Sequence, residues 1–179
     1  LVAVDDAFGR CVAIPTEKKG STDRVAVKAL AAFVRSLGQP RIVIQSDAEN
    51  SITDVVTKVR DLLPRARTQV APVAPKGSNG QVEQRNLAVE AAARTLLISL
   101  EERFKVTLPT DHPVVAWALR HAAWLSKRFQ KGSDDLTPYY RQHQRDYHST
   151  VLPFGEIVRW REPGPHKLKL KAKWGYGTW

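Results

Sequence analysis

Methionine is absent from this 179-residue chain, cysteine occurs once, at Cys11, and no run of 18 uncharged apolar residues is found. A lone cysteine excludes an internal disulfide and any cysteine-rich zinc cluster, which suits an intracellular protein. The five histidines, at 112, 121, 143, 148 and 166, show no metal-ligand spacing with it. The longest apolar stretch, Leu87 to Leu100, is broken by Glu90 and Arg94. That rules out a helical membrane span and leaves no membrane partner to expect; nor does a secretory leader open the sequence. With no methionine and a start, LVAVDD, already in strand pattern, the chain reads as a fragment lacking its true N-terminus.

What is abundant is positive charge. The 28 basic and 18 acidic residues leave a net charge of +10 and a pI near 10.0. The excess is uneven: residues 1 to 100 hold 14 basic and 10 acidic side chains, and the shorter remainder holds 14 and 8. Such a balance favours a polyanionic partner, nucleic acid ahead of anionic membrane because no basic amphipathic helix dominates. A basic but merely solvated surface is the plainer alternative. The length suffices to bury about 70% of the unfolded chain's surface in one domain.

Leu1 to Val4 and Cys11 to Ile14 are short β-rich runs joined by Asp5-Asp6-Ala7-Phe8-Gly9-Arg10, a turn composition that predicts an antiparallel pair. From Asp23 the residues Val25, Val27, Leu30, Phe33, Val34 and Leu37 recur at helical spacing until Gly38, predicting a helix packed on a sheet. Arg41 to Gln45 predicts a strand covered on both faces, since Ile42, Val43 and Ile44 show no polar alternation. A helix over Ile52 to Leu63 and a strand over Gln69 to Val73 follow. After a turn-rich stretch, Ser78 and Gln81 fit a capping box opening the longest helix, roughly Asn79 to Phe104. Asp111-His112-Pro113 opens another, in which Trp117 and Trp124, seven residues apart, are expected in the core and not as a stacking platform for bases. Composition shifts toward proline, glycine, tyrosine and lysine beyond Leu136, which sets a soft boundary between a core at 1–135 and an extension at 136–179.

Two acids stand out when taken together. Asp47 leaves the end of an apolar strand, and Glu83 opens a long helix behind Gly77-Ser78-Asn79-Gly80, with 35 residues between them. Singly each is unremarkable, one a turn or cap acid and the other a first-turn acid favoured by the helix dipole. Brought to one sheet edge, two carboxylates repel unless a cation lies between them, and hard oxygen donors suit Mg²⁺ or Mn²⁺.

These residues resemble the second and third acids of the DDE triad of retroviral and retrotransposon integrases. LVAVDDAFGR resembles the "DDYSR" hairpin of copia-type elements, and GSNGQVEQRN their glycine-rich turn and metal-binding helix. Leu136-Thr137-Pro138-Tyr139, Pro153-Phe154-Gly155 and the tail from Lys171 to Gly177 resemble the segments that follow the core in copia-type polyproteins. The resemblance implies an α/β fold, a ribonuclease-H-like mixed sheet flanked by helices and truncated at its N-terminus, with a short β-rich C-terminal extension. It also implies a polynucleotidyl transferase that processes DNA 3′ ends and transfers them to target DNA. Asp47 and Glu83 would be its catalytic metal ligands, holding two Mg²⁺ (or Mn²⁺) ions in the intact enzyme. DNA ends and target DNA are the implied partners, a homo-oligomer the implied assembly, and the nucleus the implied place of action.

Ala48-Glu49 stand where an Asn-Gly pair usually follows the second acid, and Gln84 stands where a basic residue commonly follows the third. Only two strand runs precede Asp23, whereas the family has three, so the first catalytic aspartate is expected upstream of Leu1. Asp5 and Asp6 are then turn acids, and the fragment alone is expected to be inactive. Gln81, Gln84 and Arg85 beside Glu83, with Lys76 before them, are the expected nucleic-acid contacts; a solvated helix face is the alternative for each. Lys167, Lys169, Lys171 and Lys173 alternate with Leu168, Leu170, Ala172 and Trp174, which as a strand sets a phosphate-tracking lysine face, near Arg159 and Arg161, against an apolar one. Two other functions share these features: a decayed or domesticated non-catalytic module that binds nucleic acid or protein, and a ribonuclease H acting on hybrids, which the 35-residue spacing disfavours.

Overall fold

The computed structural model describes residues 1–16, 19–70, 80–161 and 174–178. Strands β1 (Val2–Val4) and β2 (Cys11–Ala13) form the expected antiparallel hairpin, in the register Val2 with Ala13 and Val4 with Cys11. Its turn is closed by Asp5, whose carboxylate accepts from the backbone N–H groups of Ala7 and Phe8, and by Gly9 at φ 73°, a left-handed conformation natural to glycine. Asp5 therefore behaves as a turn acid.

Two such short strands are marginal alone, and helices on both faces hold them. Side chains alternate along a strand. Val2, Val4, Cys11 and Ala13 face one apolar cluster, built with helices α3 (Gly80–Phe104) and α4 (Pro113–Phe129). Leu1, Ala3, Val12 and Ile14 face the other, built with α1 (Arg24–Ser36) and α2 (Asn50–Asp61). Asp23 caps α1 by accepting from Val25 and Ala26 at 2.9 and 3.1 Å, and Gly38, at φ 69°, follows its end. Arg10 is buried and reaches that same end, donating to the Ser36 carbonyl at 3.0 Å and to Ser36 Oγ at 2.7 Å. A cation there also suits the helix dipole.

Strands β3 (Ile42–Ser46) and β4 (Ala66–Val70) pair in parallel, Ile42 with Ala66 through Ser46 with Val70. β4 begins three residues before the predicted run and is mostly exposed. Among the described residues the two-faced cover expected of β3 is not found. Ile42 and Ile44 pack toward α1 and α2, but Val43 is 58% exposed. The reason is that α3 and α4 roof the β1–β2 hairpin and not the β3–β4 pair. The described strands form three two-stranded sheets, and none of them bridges β1 to β3.

His112 caps α4 through Nδ1, which accepts from Val114 at 3.2 Å, and Pro113 occupies the first turn, where its missing N–H costs nothing. The short α5 (Pro138–His143), capped by Thr137, packs on α4 through Tyr139 and the following Tyr147. β5 (Ile157–Arg161) and β6 (Trp174–Thr178) form a terminal antiparallel hairpin. Among the described residues no helix is long and apolar enough to cross a membrane.

Candidate functional site

Asp47 directly follows β3, and its backbone carbonyl is reached by Thr53 Oγ1 at 3.5 Å from the first turn of α2. Its side chain is exposed. The neighbouring Glu49 serves the local structure. Its carbonyl accepts from Ile52 and Thr53, and its carboxylate accepts from Ser51 at 2.7 Å and Lys19 at 3.1 Å. Those two donors, Ser51 first, hold the Glu49 carboxyl below its ordinary range. The residue that departs from the integrase pattern thus shapes the loop that presents Asp47.

Glu83 lies in the first turn of α3 and is exposed, as are Gln81 and Gln84. Arg85 is half-buried and engaged: its Nη1 donates to Ser126 Oγ at 3.1 Å and to Gln130 Oε1 at 2.7 Å. It therefore pins the start of α3 to the end of α4. Lys76, Ser78, Lys167, Lys169, Lys171 and Lys173 lie outside the described residues, and with them the expected capping box and most of the lysine strand.

The two acids belong to different packing units. β3 packs with β4 and α2, while α3 packs with α4 and β1. Carboxylates are suitable donors for a hard divalent cation, so the chemistry of Asp47 and Glu83 fits one. Among the described residues, however, no group of three His, Cys, Asp or Glu side chains gathers that could hold a metal ion. The described part of the site supplies donors, not a finished metal centre.

A second feature escaped the sequence reading. Trp117, expected in the core, is 47% exposed and lines a cleft of about 310 Å³ together with Arg120, His121, Trp124, Phe154 and Thr178. His121 stacks on Trp124 with ring centroids 5.4 Å apart and planes 13° from parallel. Burial, and then the charge of Arg128, lower the His121 pKa, which disfavours the charged ring. Arg128 lies 3.9 Å over the Trp124 ring and 4.9 Å over Tyr147. The readable signal was the spacing 117, 120, 121, 124, which is one helical stripe whose two interior members are polar.

Comparison with solved structures places these features in a known fold. A chain of the simian T-cell lymphotropic virus intasome, in complex with PP2A regulatory subunit B56 gamma, matches 99% of this chain with a TM-score of 0.57 and 19% identity. This chain covers 60% of that one. The catalytic core domain of BIV integrase matches 80% of this chain, and 84% of its own length is covered, with a TM-score of 0.52 and 16% identity. The sequence matches no protein-family model and no curated protein. The fold is accordingly mixed α/β and resembles an integrase catalytic core, as its sequence motifs led one to expect.

Proposed function

We propose that this chain is the core of a retrotransposon integrase of copia type, a DDE polynucleotidyl transferase that processes DNA 3′ ends and joins them to target DNA. The supporting observation is one combination: an integrase-like fold in which Asp47 leaves the end of β3 and Glu83 occupies the first turn of α3. Asp47 and Glu83 would hold divalent cations, with a third acid contributed from outside the described residues. Bound Mg²⁺ or Mn²⁺ would activate an attacking oxygen and stabilise the leaving one at a phosphodiester. The chain's own part is to hold two carboxylates on fixed elements and to lay Gln81 and Gln84, exposed beside Glu83, along the DNA. A homo-oligomer assembled on DNA ends in the nucleus completes the reading.

The test is a strand-transfer assay in Mg²⁺, with a duplex carrying a recessed 3′ end, on a form extended at the N-terminus. Asp47→Asn and Glu83→Gln should each abolish transfer, while DNA affinity holds or rises as anionic repulsion is lost. Transfer that survives Asp47→Asn would remove Asp47 from the site. Release of RNA from an RNA:DNA duplex, with no joining of DNA ends, would instead mark a ribonuclease H.

Ala48-Glu49 in place of the usual Asn-Gly pair motivates a second reading, a decayed or domesticated non-catalytic module that binds nucleic acid or protein. DNA binding without transfer by the extended wild-type protein would decide for it.

A further inference from the structure

In the β5–β6 hairpin the residues fall into two faces. Val158 opposes Gly177, and Trp160 opposes Gly175. The Trp160 ring covers both glycines, and a Cβ built on Gly175 would lie 3.2 Å from Trp160 Nε1. On that face the Trp160 indole, itself 45% exposed, packs over two residues without side chains, beside Val158.

The opposite face is a ladder of cross-strand pairs: Arg161 with Trp174, Arg159 with Tyr176, Ile157 with Thr178. Trp174 is 55% exposed and Tyr176 71%, and Arg159 sits 5.2 Å from the Tyr176 ring centroid. Two residues along a strand separate the aromatic positions by about 7 Å, roughly twice the ~3.4 Å advance per nucleotide of a stacked strand. That interval admits one base between the two rings. The ladder ends at Thr178, which also lines the α4 cleft of Trp117, Arg120, His121 and Trp124. Thr178 thus joins the ladder to the cleft.

We propose that this face and the α4 cleft form one track for unpaired nucleobases, with Trp174, Tyr176 and Trp117 stacking on bases and Arg159, Arg161 and Arg120 meeting the backbone. Aromatic platforms bordered by cations bind single strands with little sequence preference, because every base has a π face. The inference rests on the nucleic-acid reading above for its class of ligand, but not on catalysis.

The experiment compares three probes with the 179-residue protein by fluorescence anisotropy at two salt concentrations: a mixed-sequence 12-nucleotide DNA strand, an abasic strand of equal length, and a blunt duplex. The intact strand should bind about tenfold tighter than the abasic one. Trp174→Ala, Tyr176→Ala and Trp117→Ala should each weaken intact-strand binding about five- to tenfold and leave abasic binding unchanged. Trp117 lies on a different element from the hairpin, so agreement between the variants does not depend on one hairpin's integrity. Arg159→Gln should weaken both strands and lower the salt slope by about one. Equal affinity for intact and abasic strands would overturn the inference and, if the duplex binds, leave the integrase reading standing. Self-association lost in Tyr176→Ala, with strand affinity unchanged, would also overturn it by showing that a second copy covers the face. Failure to bind any of the three probes would overturn both.

Discussion

Lys127 stands half-buried on α4 in a cationic neighbourhood. Burial, followed by the charges of Arg10 and Arg128, pushes its pKa from 10.5 down to about 8. Arg10 approaches from the β1–β2 turn and Arg128 from the same helix; His143, at the end of α5, is also lowered, by desolvation first and then by Lys127, Arg145, Arg10 and Arg128. None of the ion pairs among the described residues reaches Lys127. The perturbation is Lys127→Met, which keeps the apolar stem and removes the charge. At 1.36 kcal/mol per pH unit the unscreened penalty is about 3 kcal/mol. Solvent around a half-buried ammonium screens this to about 1 kcal/mol, which for a chain of this length corresponds to roughly 2–4 °C in Tm. The sign follows from linkage: between about pH 8 and 10.5 the unfolded chain binds the proton that the folded chain has released, so the penalty is fully present below pH 8 and fades as pH rises toward 10.5. Urea unfolding of both proteins at pH 7 and pH 10 should show the variant more stable at pH 7 and the gap nearly closed at pH 10. A variant less stable at pH 7, or a gap unchanged over that interval, would show that Lys127 bears no such burial penalty.

Three further outcomes test how the scaffold is held. Arg10→Gln removes both donations to Ser36 from a buried guanidinium and should cost about 2–3 kcal/mol in urea unfolding, as expected for charge-assisted bonds. Asp23→Ala removes the acceptor for Val25 and Ala26 and should cost about 1 kcal/mol; Asp23→Ser should restore most of it. Gly155→Ala forces a side chain at φ 76° and drives its Cβ into Leu100. It should lower stability by about 1–2 kcal/mol from the backbone alone, with a larger drop if Leu100 cannot shift.

Much of the scaffold was legible because it follows from local chemistry. The Asp5–Gly9 turn, the Asp23 cap and the His112-Pro113 start of α4 each use short-range hydrogen bonds that a few residues determine. The cover of β3 was not legible, because an Ile-Val-Ile run records the hydrophobicity of a strand and not which helices lie over it. Val43 is exposed because α3 and α4 roof another pair of strands. Trp117 misled for a related reason: an aromatic at helical spacing fits a core stripe and a cleft equally well, and only the placement of the neighbouring helices separates them. For the acids, the sequence supplied residue types and spacing, whereas the packing units that carry them emerge only from long-range contacts. Arg85 illustrates the difference, since its partners Ser126 and Gln130 lie more than 40 residues away.

Helix α4 joins these separate features. Its Ala118, Ala122 and Ala123 are nearly inaccessible, as is Ala93 on α3, and such small side chains let two helices approach closely with little side-chain entropy lost. Arg85 adds a polar clasp at one end of the same contact. The helix bearing Glu83 is therefore positioned chiefly by α4, not by β3, from whose end Asp47 departs. A different stripe of α4, through Trp117, Arg120, His121 and Trp124, lines the cleft. One rigid element thus supports the acid-bearing helix on one side and the aromatic track on the other. A strand held in the cleft would be fixed relative to Glu83 by the alanine packing between α3 and α4.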